Sequence, residues 1–167
     1  MFSPTIINMI WTNLTLLLPP AFRGPQQGIG SWFRSNHNQD STNGHSWCGY
    51  PYLDTSPVFA PDITQMTQGS NAVWPHPLWS VFASQYCGLE ARVTNLANNR
   101  TLIMWVGDAF DHKWVKSPGS IDIMQHHYAL LNNTPMKYPT DKNKVYRVKW
   151  EFTGNRNPQY MFKGLGY

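Results

Sequence analysis

Acid–base chemistry on a substrate needs a carboxyl held protonated, usually with a second carboxylate beside it, the two pKa values pushed apart by their surroundings. The chain has only nine Asp and Glu in 167 residues, so candidates are few. Asp122 stands between Ile121 and Ile123 in "SIDIM", a setting in which burial raises a carboxyl pKa. Asp108 closes the apolar run "TLIMWVGD" and Asp111 follows in "DAFDHKWVK", so either could be its partner. The competing role for Asp122 is to cap a helix and for Asp108 to cap a turn, as Asp at such places commonly does. Glu90 and Glu151 fall within strand-like runs. His126 and His127 are adjacent, so on a helix they point about 100° apart and cannot chelate one metal as His at i and i+4 can. His112, next to Asp111, is a weaker acid–base candidate. No metal and no cofactor is expected.

Cys48 and Cys87 are each followed by glycine, in "WCGY" and "YCGL". Without a CxxC spacing or a Cys/His grouping, the pair reads as one disulfide, which removes any thiol nucleophile and points to an oxidising, extracellular setting. Sequons at Asn13, Asn99 and Asn132 agree with that, the last two being the candidate glycosylation sites. The segment before residue 28 carries an apolar run at 14–18 but no basic n-region and no small-x-small cleavage site; leader remnant and ordered N-terminal arm fit it equally. No run reaches the roughly 18 apolar residues that a bilayer span requires.

The elements that must position these residues are mostly strands. In "LEARVT" the residues Leu89, Ala91 and Val93 share a face, and in "VYRVKWEF" Tyr146, Val148, Trp150 and Phe152 alternate with Arg147, Lys149 and Glu151, as half-buried strands do. The continuous apolar run 102–106 reads as a strand covered on both sides. Two segments, 76–88 and 120–133, shift to helical spacing and read as short helices, the second with Ser120 or Asp122 as cap. The polar stretch 35–46, the Pro-marked 55–70 and the tail 154–167 read as loops. Length suits one domain, and 14% aromatic with 13% charged residues describes a folded chain. The formal net charge of +4 is scattered rather than gathered on one face, which argues against nucleic acid as a partner. A monomer is expected.

Six segments in order resemble one family. They are "GIGSWF" (28–33), "WCGY" (47–50), "SVFASQYCGLEARVTN" (80–95), "LIMWVGD" (102–108), "GSIDIMQHHYALL" (119–131) and "YRVKWEF" (146–152). Together they are similar to the rare-lipoprotein-A-like and expansin-like double-psi β-barrels. The resemblance implies a mainly-β fold: a six-stranded double-psi barrel over 28–153 with two short helices and long loops, an arm at 1–27 and a tail at 154–167. It also implies an open groove that grips an extended polysaccharide, with Trp32 and Phe33 as groove residues and Asp122 as its acid; Trp47 and Tyr50 are further candidate ligand contacts. The sequence departs from the family's usual pattern in three ways. Asp108 lacks the Asp-x-Cys-x-x-Cys that commonly follows, "SID" replaces His-Phe-Asp, and the glutamate that peptidoglycan-cleaving members carry near the Cys-Gly is missing.

Three functions follow as expectations. The first is a secreted protein that binds and loosens cell-wall polysaccharide of the cellulose, chitin or peptidoglycan type without hydrolysing it. The second is a glycan-cleaving enzyme with Asp122 as acid and Asp108 as its companion. The third is an effector or protease inhibitor that binds a protein partner with the same barrel.

Overall fold

The computed structural model describes residues 22–133 and 138–164. Six strands form one closed barrel: β1 (Gln26–Phe33), β2 (Val58–Pro61), β3 (Leu89–Asn95), β4 (Arg100–Val106), β5 (Ile121–Met124) and β6 (Tyr146–Arg156). Their order around the barrel is β1-β5-β2-β4-β3-β6. The pairs β1·β5 and β2·β4 are parallel, while all others are antiparallel. Exchanging each strand with the one three places along the chain maps this order onto itself and swaps the two parallel pairs. That crossed, internally two-fold arrangement is a double-psi barrel. Closure leaves the sheet no unpaired edge.

Alternation builds the barrel's interior. Leu89, Ala91 and Val93 of β3 and Val148, Trp150 and Phe152 of β6 are buried, with Arg92, Lys149 and Glu151 turned to solvent. Trp150 sits at the centre, edge-on to Phe59 at 5.5 Å and near Phe22 at 5.9 Å, and its indole N–H donates to the Gly119 carbonyl at 2.9 Å. β4 differs from its reading as a strand covered on both sides. Ile103 is exposed and Met104 and Val106 are buried, because only one face of β4 meets the core.

Among the described residues three short α-helices decorate the barrel: α1 (Ile63–Met66), α2 (Trp79–Tyr86) and α3 (Gln125–Leu131). Two corrections to the sequence reading arise here. The segment 55–70, read as loop, holds β2 and α1; Pro57 and Pro61 mask a strand whose four residues are all buried. The helix placed over 120–133 begins only at Gln125, because β-branched Ile121 and Ile123 alternate into the core and make 121–124 a strand. Asp122 therefore lies within β5 and caps nothing, and the residue at the helix N-cap, Met124, makes no side-chain bond.

The disulfide joins Cys48 to Cys87, with Cα atoms 5.8 Å apart, and so ties the loop between β1 and β2 to the end of α2. Linking residues separated by 39 positions restricts the unfolded chain by about 4 kcal/mol in the chain-entropy picture. β6 runs through Arg156, and beyond it Tyr160 is buried and stacks on Trp105 at 5.4 Å. Lys163 N–H donates to the Cys48 carbonyl, so residues 154–164 pack on the barrel rather than trailing from it as a tail. Phe22 likewise belongs to the core, so at least this residue of the N-terminal segment is part of the folded unit. Residues 1–21, with the Asn13 sequon, lie outside the described residues.

Candidate functional site

The parallel β1·β5 pair and the antiparallel β5·β2 pair place three residues in one row: Ser31 opposite Asp122, and Asp122 opposite Ala60. Since Ile121 and Ile123 point inward, Asp122 must point outward. Short side chains on both flanks leave a depression with this carboxyl at its floor. It widens into a groove of about 1080 Å³ walled by residues from 38–45, 108–116 and 142–145, with Asn71 and Val73.

Asp122 Oδ1 accepts a 2.8 Å hydrogen bond from Ser31 Oγ. Oδ2 has no partner among the described residues, and it is this oxygen that the floor offers to a ligand. Burial pushes the carboxyl up to about 7; the Ser31 bond and the Lys142 charge oppose that, and the charges of Asp40 and Asp108 add to it. Asp122 is thus a half-buried acid that is protonated under mildly acidic conditions.

Asp108 has a different role. Oδ1 accepts from the backbone N–H groups of Trp47 at 2.8 Å and Ala109 at 2.9 Å, and Oδ2 accepts from the Tyr52 hydroxyl at 2.5 Å. Burial raises this carboxyl to about 6 against the pull of those bonds. With both oxygens committed, it fixes the 47–52 segment against the end of β4 and leaves little for a substrate. Asp111 pairs with Lys113 at 3.0 Å and caps the 3-10 turn His112–Trp114.

Trp32, Phe33, Trp47, Asp108 and Asp122, named from the sequence, all line this groove, whereas Tyr50 does not. Tyr50 is buried, with its hydroxyl donating to the Tyr160 carbonyl. The aromatic platform expected at Trp32 needs correction. Trp32 is 1% exposed, and its ring lies under Lys142 Nζ at 3.9 Å from the centroid and Arg34 Cζ at 5.1 Å. Lys142 also donates to the Trp32 carbonyl and pairs with Asp40 at 2.7 Å, while Arg34 grips Asp40 at 2.8 Å. Burial pushes the Asp40 carboxyl up, but its bonds to these two cations outweigh that and hold it below the ordinary value. Phe33 packs near Tyr52, and the Trp47 indole donates to the Ala72 carbonyl, so neither offers a free face.

Sequence reasoning missed Ser31, although it sits beside Trp32 in the motif that drew attention. It also missed Lys142, whose loop carries no signal, and the bond from buried Asp62 to His112 Nδ1 at 2.8 Å. His126 meets Tyr138, and His127 is depressed to about 4 by burial and the neighbouring His126. Among the described residues no group of three or more His, Cys, Asp or Glu could hold a metal ion. The sequon asparagines Asn99 and Asn132 lie exposed at one end of the barrel, where Arg100 donates to Asn133 at 2.7 Å. Among the described residues no helix is long and apolar enough to cross a membrane.

The chain matches no protein-family model, and no curated protein matches it.

Proposed function

We propose that this is a secreted, expansin-like polysaccharide-binding protein that holds an extended glycan in the groove across β1, β5 and β2 without hydrolysing it. The observation carrying the reading is Asp122: an outward carboxyl between Ser31 and Ala60, with one oxygen uncommitted, at the floor of an open groove. Such a group bonds sugar hydroxyls as donor when protonated and as acceptor when ionised. The disulfide and the exposed sequons fit an extracellular setting. Non-hydrolytic action is supported by Asp108, which makes a poor second carboxylate because its oxygens are already bonded to Trp47, Ala109 and Tyr52.

A second reading, cleavage with Asp122 as acid, draws support from its pKa near 7, which suits proton donation. One experiment separates the readings: pull-down on insoluble cellulose, chitin and peptidoglycan with analysis of released sugars. Wild type is expected to bind at least one glycan and release nothing, and Asp122→Asn to bind it about tenfold more weakly, as for the loss of one well-placed hydrogen bond. Released reducing ends or anhydro-sugars that vanish in Asp122→Asn would establish the enzyme. Failure to bind any of the three would leave the protein-partner reading in possession of the groove.

A further inference from the structure

Among the described residues six aromatic side chains line the groove, but Trp32, Phe33, Trp47, Tyr52 and Phe110 are all buried. Trp114 is the exception, with 59% of its surface exposed. Its backbone is well held. Trp114 N–H donates to the Asp111 carbonyl and Val115 N–H to the His112 carbonyl. Asp111 Oδ1 accepts from Lys113 N–H, capping the turn. The turn is pinned to the barrel at its start, where Phe110 N–H donates to the Pro61 carbonyl and Ile63 N–H to the Phe110 carbonyl. The His112 imidazole adds a bond to Asp62, whose other oxygen caps α1 through Thr64 N–H. A large indole held in water on an anchored turn is an apolar surface without a function inside this chain. Lys113 Nζ, paired with Asp111, lies 5.6 Å from its ring centroid, and Lys116 also lines the groove.

We infer that Trp114 is a sugar-stacking subsite of the groove and that the His112–Asp62 bond positions it. The ligand class follows from the surface. A flat indole buries the C–H face of a pyranose ring most fully when the ring's hydroxyls lie equatorial, and the Lys113 and Lys116 ammonium groups are candidate donors to those hydroxyls. That describes an internal β-linked, gluco-configured unit, plain or N-acetylated, beyond the reach of a trisaccharide seated on Asp122. The inference rests on the glycan-binding reading and narrows its substrate class.

Calorimetric titration of the whole protein with cellohexaose and chitohexaose, and with the corresponding trisaccharides, tests it. Trp114→Ala is expected to weaken hexasaccharide binding about tenfold, as for lost burial of one ring face, and to erase most of the hexasaccharide's advantage over the trisaccharide. Trp114→Phe should stay within about threefold of wild type, because it keeps an aromatic face. His112→Ala should lose part of the same length dependence while leaving trisaccharide affinity unchanged, a pattern that general destabilisation would not produce. Should Asp122→Asn lose binding while Trp114→Ala keeps wild-type affinity and length dependence, the subsite is wrong and the groove reading stands. Absence of binding by wild type to all four sugars and to the insoluble glycans overturns both.

Discussion

Gly28 and Gly119 lie backbone against backbone where β1 passes the turn that leads into β5. A Cβ on Gly28 would collide with the Gly119 carbonyl carbon and the Ser120 nitrogen, and one on Gly119 with the Gln27 carbonyl. The same crossing is held by the Trp150 indole on the Gly119 carbonyl and by Ser120 Oγ accepting from Ile29 N–H at 3.1 Å. Both glycines are therefore requirements of barrel closure, and closure sets the row in which Ser31 meets Asp122.

Either Gly28→Ala or Gly119→Ala should lose on the order of 4 kcal/mol, or yield only insoluble protein, because the obstacle is backbone that cannot swing aside. Gly44→Ala is the control: its φ is +86° but nothing lies within 4 Å of the added carbon. There the cost should be only about 1 kcal/mol, from the left-handed backbone alone. Urea unfolding of the three variants measures this, and equal losses in all three would refute the close crossing.

How far the sequence revealed this arrangement depended on how locally each signal was encoded. β3 and β6 were legible because they alternate cleanly over seven or more residues, and the Cys48–Cys87 link because two isolated cysteines had no other use. β2 and β5 were not, since each has four residues, too few to display a period, and β5 runs straight into α3 so that its apolar residues merge with the helical pattern. The meeting of Asp108, Asp122 and Trp32 in one groove was suggested by ordered motifs rather than by any one residue. What covers Trp32 could not be read, because Arg34, Asp40 and Lys142 come together only through tertiary structure. Nor could the accessible aromatic of the groove be singled out, because only tertiary packing buries Trp32 and Trp47 and leaves Trp114 exposed.

Lys142 serves three groups at once: the Asp40 carboxylate, the Trp32 carbonyl and the Trp32 ring face. Lys142→Met keeps the apolar stem and removes the ammonium, so Asp40 falls back on Arg34 and the carbonyl loses its donor. Stability should fall by about 1 kcal/mol, since the ammonium is partly exposed and solvent screens much of the charge pairing. Guanidinium-free unfolding in urea at fixed pH is the measurement. A loss near zero would mean that Arg34 alone organises this corner. The same variant removes a positive charge that favours the ionised form of Asp122, so the Asp122 midpoint should move further upward, and an isotope-edited carboxyl titration would detect that shift.

The Asp122 carboxyl makes stability depend on pH in a stated direction. Its folded value of about 7 lies above the ordinary 3.8, so the native state holds this proton more tightly than the unfolded chain does. Below 3.8 both states are protonated and the stabilisation is fully present. Between 3.8 and about 7 the unfolded chain ionises first, and the stabilisation is lost as pH rises through the folded value. Asp108 acts in the same sense, its window closing near 6. Asp122→Asn stays neutral throughout and can still accept from Ser31, so it should lack the Asp122 part of this slope. Urea unfolding from pH 4 to pH 8 should therefore show wild type losing on the order of 2 kcal/mol relative to Asp122→Asn, with the difference levelling off above the folded midpoint; the size allows for solvent reaching the open groove. Parallel stability curves for the two proteins would mean that Asp122 titrates as an ordinary surface carboxyl, and its role as a protonated donor to sugar hydroxyls near neutral pH would fall with that result.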